Sequence, residues 1–186
     1  MTSRCTIYHA ARILHAGGVI AYPTEGVYGI GCLPDNEAAI ERIFQIKGRR
    51  ADAGLILIAA DHGLLTGWIA PTETEVDRLL RPVDKPTTWI VTAHPSVSPL
   101  LTGGRPTIAV RVTDHPVAGA LTLATGSPLV STSANRSGKP VAMSGLHARL
   151  KLGRQLDRIV HGPLGNRTGP SEIRVAQSDA VIRAGS

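Results

Sequence analysis

Residues 46–61, IKGRRADAGLILIAAD, join a basic turn to a buried strand. The uninterrupted apolar run at 55–60, LILIAA, is typical of a strand that is covered on both faces. Three cations, Lys47, Arg49 and Arg50, come shortly before it, at the point where the preceding helix ends. The stretch therefore predicts a central strand whose approach displays positive charge at the edge of a sheet.

Helical and strand patterns alternate on both sides of this run, and strands cluster towards the end of the chain. This order favours one twisted, mixed α/β sheet flanked by helices, in a single domain over residues 1–186. Helices are predicted at 7–16, 36–46, 72–80, 116–124 and 144–153, and strands at 19–22, 55–60, 87–93, 107–112, 128–133, 158–162, 172–176 and 180–184.

Composition narrows the class of partner. The 186 residues are 42% hydrophobic and carry a formal charge of +6, which favours a nucleotide, a nucleic acid or an acidic metabolite. Cys5 and Cys32 form no C-x-x-C pair and no cluster with metal-ligand spacing, so we expect reduced, structural thiols and no structural metal. Without an apolar run of about 18 residues or a signal peptide, we expect a cytoplasmic protein with no membrane contact.

The basic turn has two interpretations. Lys47 supplies a mobile charge and Arg49 a planar donor fork, a combination that suits a polyphosphate. Alternatively, basic residues at this position simply complement the dipole at the end of a helix.

The strand at 107–112, TIAVRV, places Thr107, Ala109 and Arg111 on one face because alternate residues of a strand share a face. We expect a polar floor that receives a ligand carboxylate or phosphate. The alternative is that Arg111 pairs with an internal acid or faces water.

The stretch 131–138, STSANRSG, puts Ser131 and Ser133 on one strand face, and Asn135 follows where the chain leaves the sheet. Ligands of α/β proteins favour such carboxyl ends of strands, and small hydroxyls there can hold a nucleotide. Ordinary turn chemistry would also explain these residue types.

The stretch 22–31, YPTEGVYGIG, reads as a strand end followed by a glycine-rich connection that permits close backbone approach. Thr24 offers a hydroxyl there, and Glu25 is either a structural acid or a catalytic acid or base. The stretch is neither G-x-G-x-x-G nor a P-loop, so any nucleotide site is of another kind.

In this order, the four stretches resemble the YrdC-like family, the threonylcarbamoyl-AMP synthases, over roughly residues 10–184. The ordered pair Lys47-x-Arg49 and Ser133-x-Asn135 carries the resemblance, with AVRVTDHP, GPSEIR and VIRAG as supporting segments. The resemblance implies the short, single-domain form, with a basic concave cavity on its sheet. The sequence departs from the family pattern in the segment 81–88. It also has Gly54 at a position where the family usually has a proline.

The resemblance also implies a reaction and a set of partners. ATP with Mg²⁺, bicarbonate and L-threonine would give threonylcarbamoyl-adenylate and pyrophosphate. A separate complex would then transfer the group to position 37 of tRNAs that read ANN codons, and the basic cavity could contact tRNA. The implied ATP-binding residues are Lys47, Arg49, Thr107, Ser133, Asn135 and Arg183, of which Lys47 and Arg49 act in catalysis; those implied for threonine are Thr24, Arg111, Ser131 and Ser171.

Alternative functions remain at this point. The charge would suit a module that binds double-stranded RNA or tRNA, although the chain has only six aromatic residues to stack on bases. A ribosome-assembly factor without synthase activity is the other alternative. Carbamoyl transfer, as in hydrogenase maturation, is disfavoured because those chains carry additional parts that this sequence lacks.

Overall fold

A computed structural model describes residues 2–166, 169 and 171–185. Its elements follow the predicted order closely. The helices are α1 (Arg4–His15), α2 (Glu37–Lys47), α3 (Glu73–Leu80), α4 (Pro99–Thr102), α5 (Pro116–Thr125) and α6 (Gly145–Leu152). The strands are β1 (Ile20–Pro23), β2 (Tyr28–Gly31), β3 (Ile56–Ala59), β4 (Thr87–Thr92), β5 (Thr107–Val112), β6 (Leu129–Ser133), β7 (Arg158–Ile159), β8 (Glu172–Val175) and β9 (Val181–Arg183).

The strands form one mixed sheet in the order β7-β1-β2-β6-β3-β5-β4-β8-β9. Three neighbouring pairs are parallel, namely β1 with β7, β3 with β5, and β4 with β8, and the others are antiparallel. The predicted mixed sheet flanked by helices is therefore confirmed. The apolar run forms β3, which lies between β6 and β5 in the middle of the sheet.

The glycine-rich connection was predicted without a strand, and this was wrong. It contains β2, which pairs with β1 and β6. The glycines hide the strand in the sequence because they supply no apolar alternation, yet the sheet requires one of them. A Cβ on Gly31 would lie 2.1 Å from the carbonyl oxygen of Val130, so only glycine allows this close approach of β2 and β6.

Helices cover the two faces of the sheet unequally. Residues of α2, α3, α4 and α6 pack on one face, where Leu57, Val110 and Val130 contribute to the larger core. On the other face α1 and α5 pack over Ile58 and Leu129. Helices α1 and α5 leave part of this sheet face uncovered, and the cavity described below lies on the uncovered part.

Candidate functional site

A cavity of about 520 Å³ lies on the open part of the sheet. On one face of β3 and β6, the side chains are covered by helices at one end and line the cavity at the other. Ile58 and Leu129 lie beneath α1 and α5, whereas Ile56, Ser131 and Ser133 line the cavity. Eight of the ten residues that the sequence predicts for the site line this cavity: Thr24, Arg49, Thr107, Arg111, Ser131, Ser133, Ser171 and Arg183.

The lining carries more positive than negative charge. Its cationic side chains are Arg49, Lys85, Arg105, Arg111 and Arg183, and its carboxylates are Glu25 and Glu172. Burial lowers the pKa of Arg49, and the charge of Arg105 lowers it further. Burial likewise lowers the pKa of Arg183, with contributions from Arg111 and Arg49. These guanidinium groups are therefore close enough to repel one another, and an anionic ligand would relieve that repulsion.

Sequence reasoning missed Lys85 and Arg105. Lys85 lies in the segment 81–88, whose departure from the family pattern drew attention to loop shape and not to charge. Arg105 lies in the loop before β5 and donates to the carbonyl oxygen of Asp52. A Cβ on Gly54 would lie 2.8 Å from Arg105 Nη2, and Gly54 has φ = +61°, so glycine suits this position of the cavity wall.

The end of α2 positions the basic turn. Gly48 adopts a left-handed conformation with φ = 56°, and its amide and that of Arg49 close the helix on Gln45 and Phe44. This turn sends Arg49 towards the cavity, where its guanidinium donates to the carbonyl oxygen of Ala53 at 3.2 Å. Lys47 precedes the turn and is buried behind the cavity.

Lys47 joins the two halves of the family motif. Its Nζ lies 2.6 Å from the carbonyl oxygen of Ser133, 3.1 Å from that of Asn135 and 3.0 Å from Asn135 Oδ1. The Ser133 hydroxyl also donates to Asn135 Oδ1, at 2.8 Å. Burial lowers the pKa of Lys47 to about 8, with a smaller contribution from Arg49. The ammonium group is therefore engaged by protein oxygens, and it fixes the loop that presents Ser133.

Arg111 forms an internal ion pair. Its Nη2 lies 3.2 Å from Glu25 Oε2, and both side chains are about nine-tenths buried. The structure therefore contains the acid that the sequence left as an alternative partner. Glu25 Oε1 accepts a hydrogen bond from Thr113, so both carboxylate oxygens are engaged. Arg111 nevertheless lines the cavity, and a ligand can still reach it.

Two further contacts shape the walls. Thr24 donates to the carbonyl oxygen of Val27 at 2.7 Å and closes the turn between β1 and β2. On the opposite wall, the hydroxyls of Ser171 and Thr88 lie 2.8 Å apart, and Arg183 donates to the carbonyl oxygen of Ser171 at 2.8 Å. These bonds attach the β8–β9 hairpin to the rim of the cavity.

The described residues contain no group of three or more His, Cys, Asp or Glu side chains that could hold a metal ion. Within the same part of the chain, no helix has the length and apolar character needed to cross a membrane. Cys5 and Cys32 are both free; Cys32 is buried in the core, whereas Cys5 is exposed on α1, which does not fit the structural role expected for it.

The fold and cavity define a mixed α/β protein with a cation-rich cavity on an open sheet face. A protein-family model described as telomere recombination, which covers Sua5, YciO and YrdC proteins, matches residues 12–185. The chain belongs to this family, as the sequence predicted.

Individual relatives agree with that placement. A threonylcarbamoyl-AMP synthase from Nitrosococcus oceani is 50% identical over 175 residues, which span 94% of this chain and 95% of the relative. The crystal structure of P. abyssi Sua5 complexed with L-threonine has a TM-score of 0.89 and 31% identity; the match covers 96% of this chain and 54% of Sua5. The crystal structure of E. coli YciO has a TM-score of 0.83 and 30% identity, with 98% and 90% covered.

Proposed function

We propose that this protein is a threonylcarbamoyl-AMP synthase, a nucleotidyltransferase. The names of two relatives, 50% and 44% identical to this chain, confirm this prediction over the RNA-binding and ribosome-assembly alternatives. The observation that supports it most strongly is the convergence of four arginines and several small hydroxyls on one cavity. Such a surface suits two anionic reactants that must be brought together.

In the proposed reaction the amine of L-threonine first attacks the carbon of bicarbonate; a C–O bond breaks, water leaves, and a carbamate forms. A carbamate oxygen then attacks the α-phosphorus of ATP, the bond from that phosphorus to the bridging oxygen breaks, and pyrophosphate leaves. Fixed positive charge stabilises the leaving group, and holding three reactants in one cavity supplies much of the remaining acceleration. No covalent enzyme intermediate is required.

We assign the phosphates to Arg49 and Arg183, with Thr107 and Ser133 contacting the nucleotide. Each of these residues lines the cavity, and each arginine is already oriented by a backbone carbonyl while keeping its charge. In this assignment Lys47 and Asn135 act indirectly. The ammonium group of Lys47 holds the loop that carries Ser133 and Asn135. Lys85 and Arg105 add charge to the same wall.

Mg²⁺ would enter with ATP. Both lining carboxylates have cationic partners, Glu25 with Arg111 and Glu172 with Arg174, so the described wall suits a metal held mainly by phosphate oxygens. When bound, the ion supplies neutralisation of the phosphate charge.

We assign the threonine and its carbamate to Arg111, Thr24, Ser131 and Ser171, which line the same cavity. Arg111 is the deepest of the lining cations and suits the amino-acid carboxylate. The Sua5 relative has been crystallised with L-threonine, which supports this class of substrate.

Release of pyrophosphate from ATP tests the function directly. With Mg²⁺ present, we expect release that requires both L-threonine and bicarbonate, and mass spectrometry should detect threonylcarbamoyl-adenylate. Release that is independent of threonine would overturn the proposal. We further propose that the enzyme works in the cytoplasm and passes its product to the complex that modifies tRNA. Direct tRNA contact through the basic cavity is tested by a binding assay with tRNA.

A further inference from the structure

Glu25 lies at the innermost wall of the cavity, and its backbone is held on both sides. The amide of Gly165 donates to the carbonyl oxygen of Thr24 at 3.1 Å. A Cβ on Gly165 would lie 2.9 Å from the Glu25 Cα, and one on Gly26 would lie 2.2 Å from the carbonyl oxygen of Gly169. Gly165 and Gly169, in the described part of the segment 162–169, therefore pack directly against the turn, and Glu25 is only 7% exposed.

A chain of hydrogen bonds fixes the carboxylate. Thr113 donates its single hydroxyl proton to Glu25 Oε1 and accepts at 3.2 Å from the amide of His115. His115 Nδ1 accepts from the amide of Ala118, so Nε2 carries the proton and donates to the carbonyl oxygen of Pro163 at 3.2 Å. Burial lowers the pKa of His115, which keeps it in this neutral form. Pro163 belongs to the segment that covers Glu25, so the network closes on itself.

Arg111 is bound to this network by one side of its guanidinium. Glu25 Oε2 contacts Nη2 at 3.2 Å, while the buried Nε has no hydrogen-bond partner within the described part of the chain. The other arginines of the cavity wall, Arg49, Arg105 and Arg183, are oriented by neutral backbone carbonyls instead. Arg111 therefore differs from them in being held by a charged partner, at the most buried cationic position of the wall.

We propose that Glu25 is a positioning residue that fixes Arg111 for the carboxylate of the amino-acid substrate, and that Thr113 orients Glu25. This inference rests on the proposed function, in which Arg111 receives that carboxylate. A guanidinium held from behind by an anion presents its remaining N–H donors in one orientation, so little rotational freedom is lost when the substrate binds. Glu25 acts in this role as a fixed partner, since Oε1 accepts from Thr113 and Oε2 pairs with Arg111.

The test is the equilibrium affinity for L-threonine, measured by calorimetry, beside the affinity for ATP. Glu25→Gln keeps the shape and removes the charge. It should weaken threonine binding by about 10-fold to 100-fold, the range expected for one charge-assisted hydrogen bond, and leave ATP binding within about twofold. Thr113→Val should weaken threonine binding in the same direction, whereas Thr113→Ser restores the hydroxyl and should bind threonine nearly as the parent protein does.

Matched controls separate positioning from general damage. Asp157→Asn breaks the ion pair of Arg42 and Asp157, which is 2.6 Å long but partly exposed and outside the cavity lining; both affinities should be unchanged. Unchanged threonine affinity in Glu25→Gln and Thr113→Val, with a loss in Arg111→Lys, would overturn the positioning role and leave the proposed function standing. Unchanged threonine affinity in Arg111→Lys would overturn both the positioning role and the assignment of Arg111. Failure of the pyrophosphate assay, with threonine affinity responding as described, would overturn only the proposed reaction.

Discussion

Replacing Lys47 with methionine removes the ammonium group and keeps most of the side-chain length. The ammonium now serves two backbone carbonyls and Asn135 Oδ1 at 3.1 Å or less. Two of these acceptors have another donor. The backbone amide of Asn135 donates to the carbonyl oxygen of Ser133, and the Ser133 hydroxyl donates to Asn135 Oδ1. The Asn135 carbonyl has no other donor among the described residues.

One buried acceptor without a donor costs about 1–3 kcal/mol, and we expect a net loss of about 2 kcal/mol in the free energy of unfolding. For a chain of this length that loss lowers the melting temperature by roughly 4–8 °C. Because the loop of Ser133 loses its support, kcat/KM for ATP should also fall by about 10²-fold, the effect of misplacing a contacting group by about 1 Å.

Thermal unfolding and pyrophosphate release measure the two effects in the same preparation. Lys151→Met is the matched control, since Lys151 is exposed and, among the described residues, donates only to the carbonyl oxygen of Pro140. The melting temperature and activity of this variant should hardly change. A Lys47→Met protein with the parent melting temperature and reduced activity would refute the reasoning. That result would mean that the ammonium contacts the phosphates and does not support the loop.

Three further predictions test other parts of the site. Arg49→Ala should lower kcat/KM for ATP by about 10²-fold, whereas Arg50→Ala, which loses only an exposed pair with Asp52, should stay within about twofold in the same assay. Activity should fall as the pH rises through about 8, where the Lys47 ammonium loses a proton and with it one N–H donor. Because the pKa in the folded protein lies below the ordinary value of 10.5, this residue makes folding more favourable as the pH rises between those two values. Melting temperatures should therefore show that the loss of activity is not caused by unfolding. In chemical denaturation, Gly31→Ala should destabilise the protein by about 3 kcal/mol or more because the new Cβ overlaps the neighbouring strand. The new Cβ of Gly119→Ala lies no closer than 3.7 Å to the neighbouring atoms, so this variant should be neutral or stabilising by about 0.5–1 kcal/mol in the same measurement.

Much of this fold could be predicted from periodicity, because strands and helices with apolar faces announce themselves in the sequence. The strand β5 spans Thr107–Val112 as predicted, and its alternation correctly placed Thr107, Ala109 and Arg111 on the cavity side. The strand β2 could not be found in this way. Two of its four residues are glycines, selected by the distance to the neighbouring strand and not by burial of a side chain.

The partners of the charged residues were beyond the reach of the sequence for a different physical reason. Glu25 and Arg111 are 86 positions apart along the chain, as are Lys47 and Ser133. Neither pair has a local spacing that marks it. The strand order β2-β6-β3-β5 brings the turn of Glu25 and the strand of Arg111 onto one sheet, and the end of α2 brings Lys47 to the end of β6. The ordered motif predicted the residues of the candidate site, but only the structure reveals that two of its cations, Lys47 and Arg111, are already engaged by the protein. We therefore assign Lys47 to the support of the Ser133 loop, and we assign Arg111 a fixed orientation.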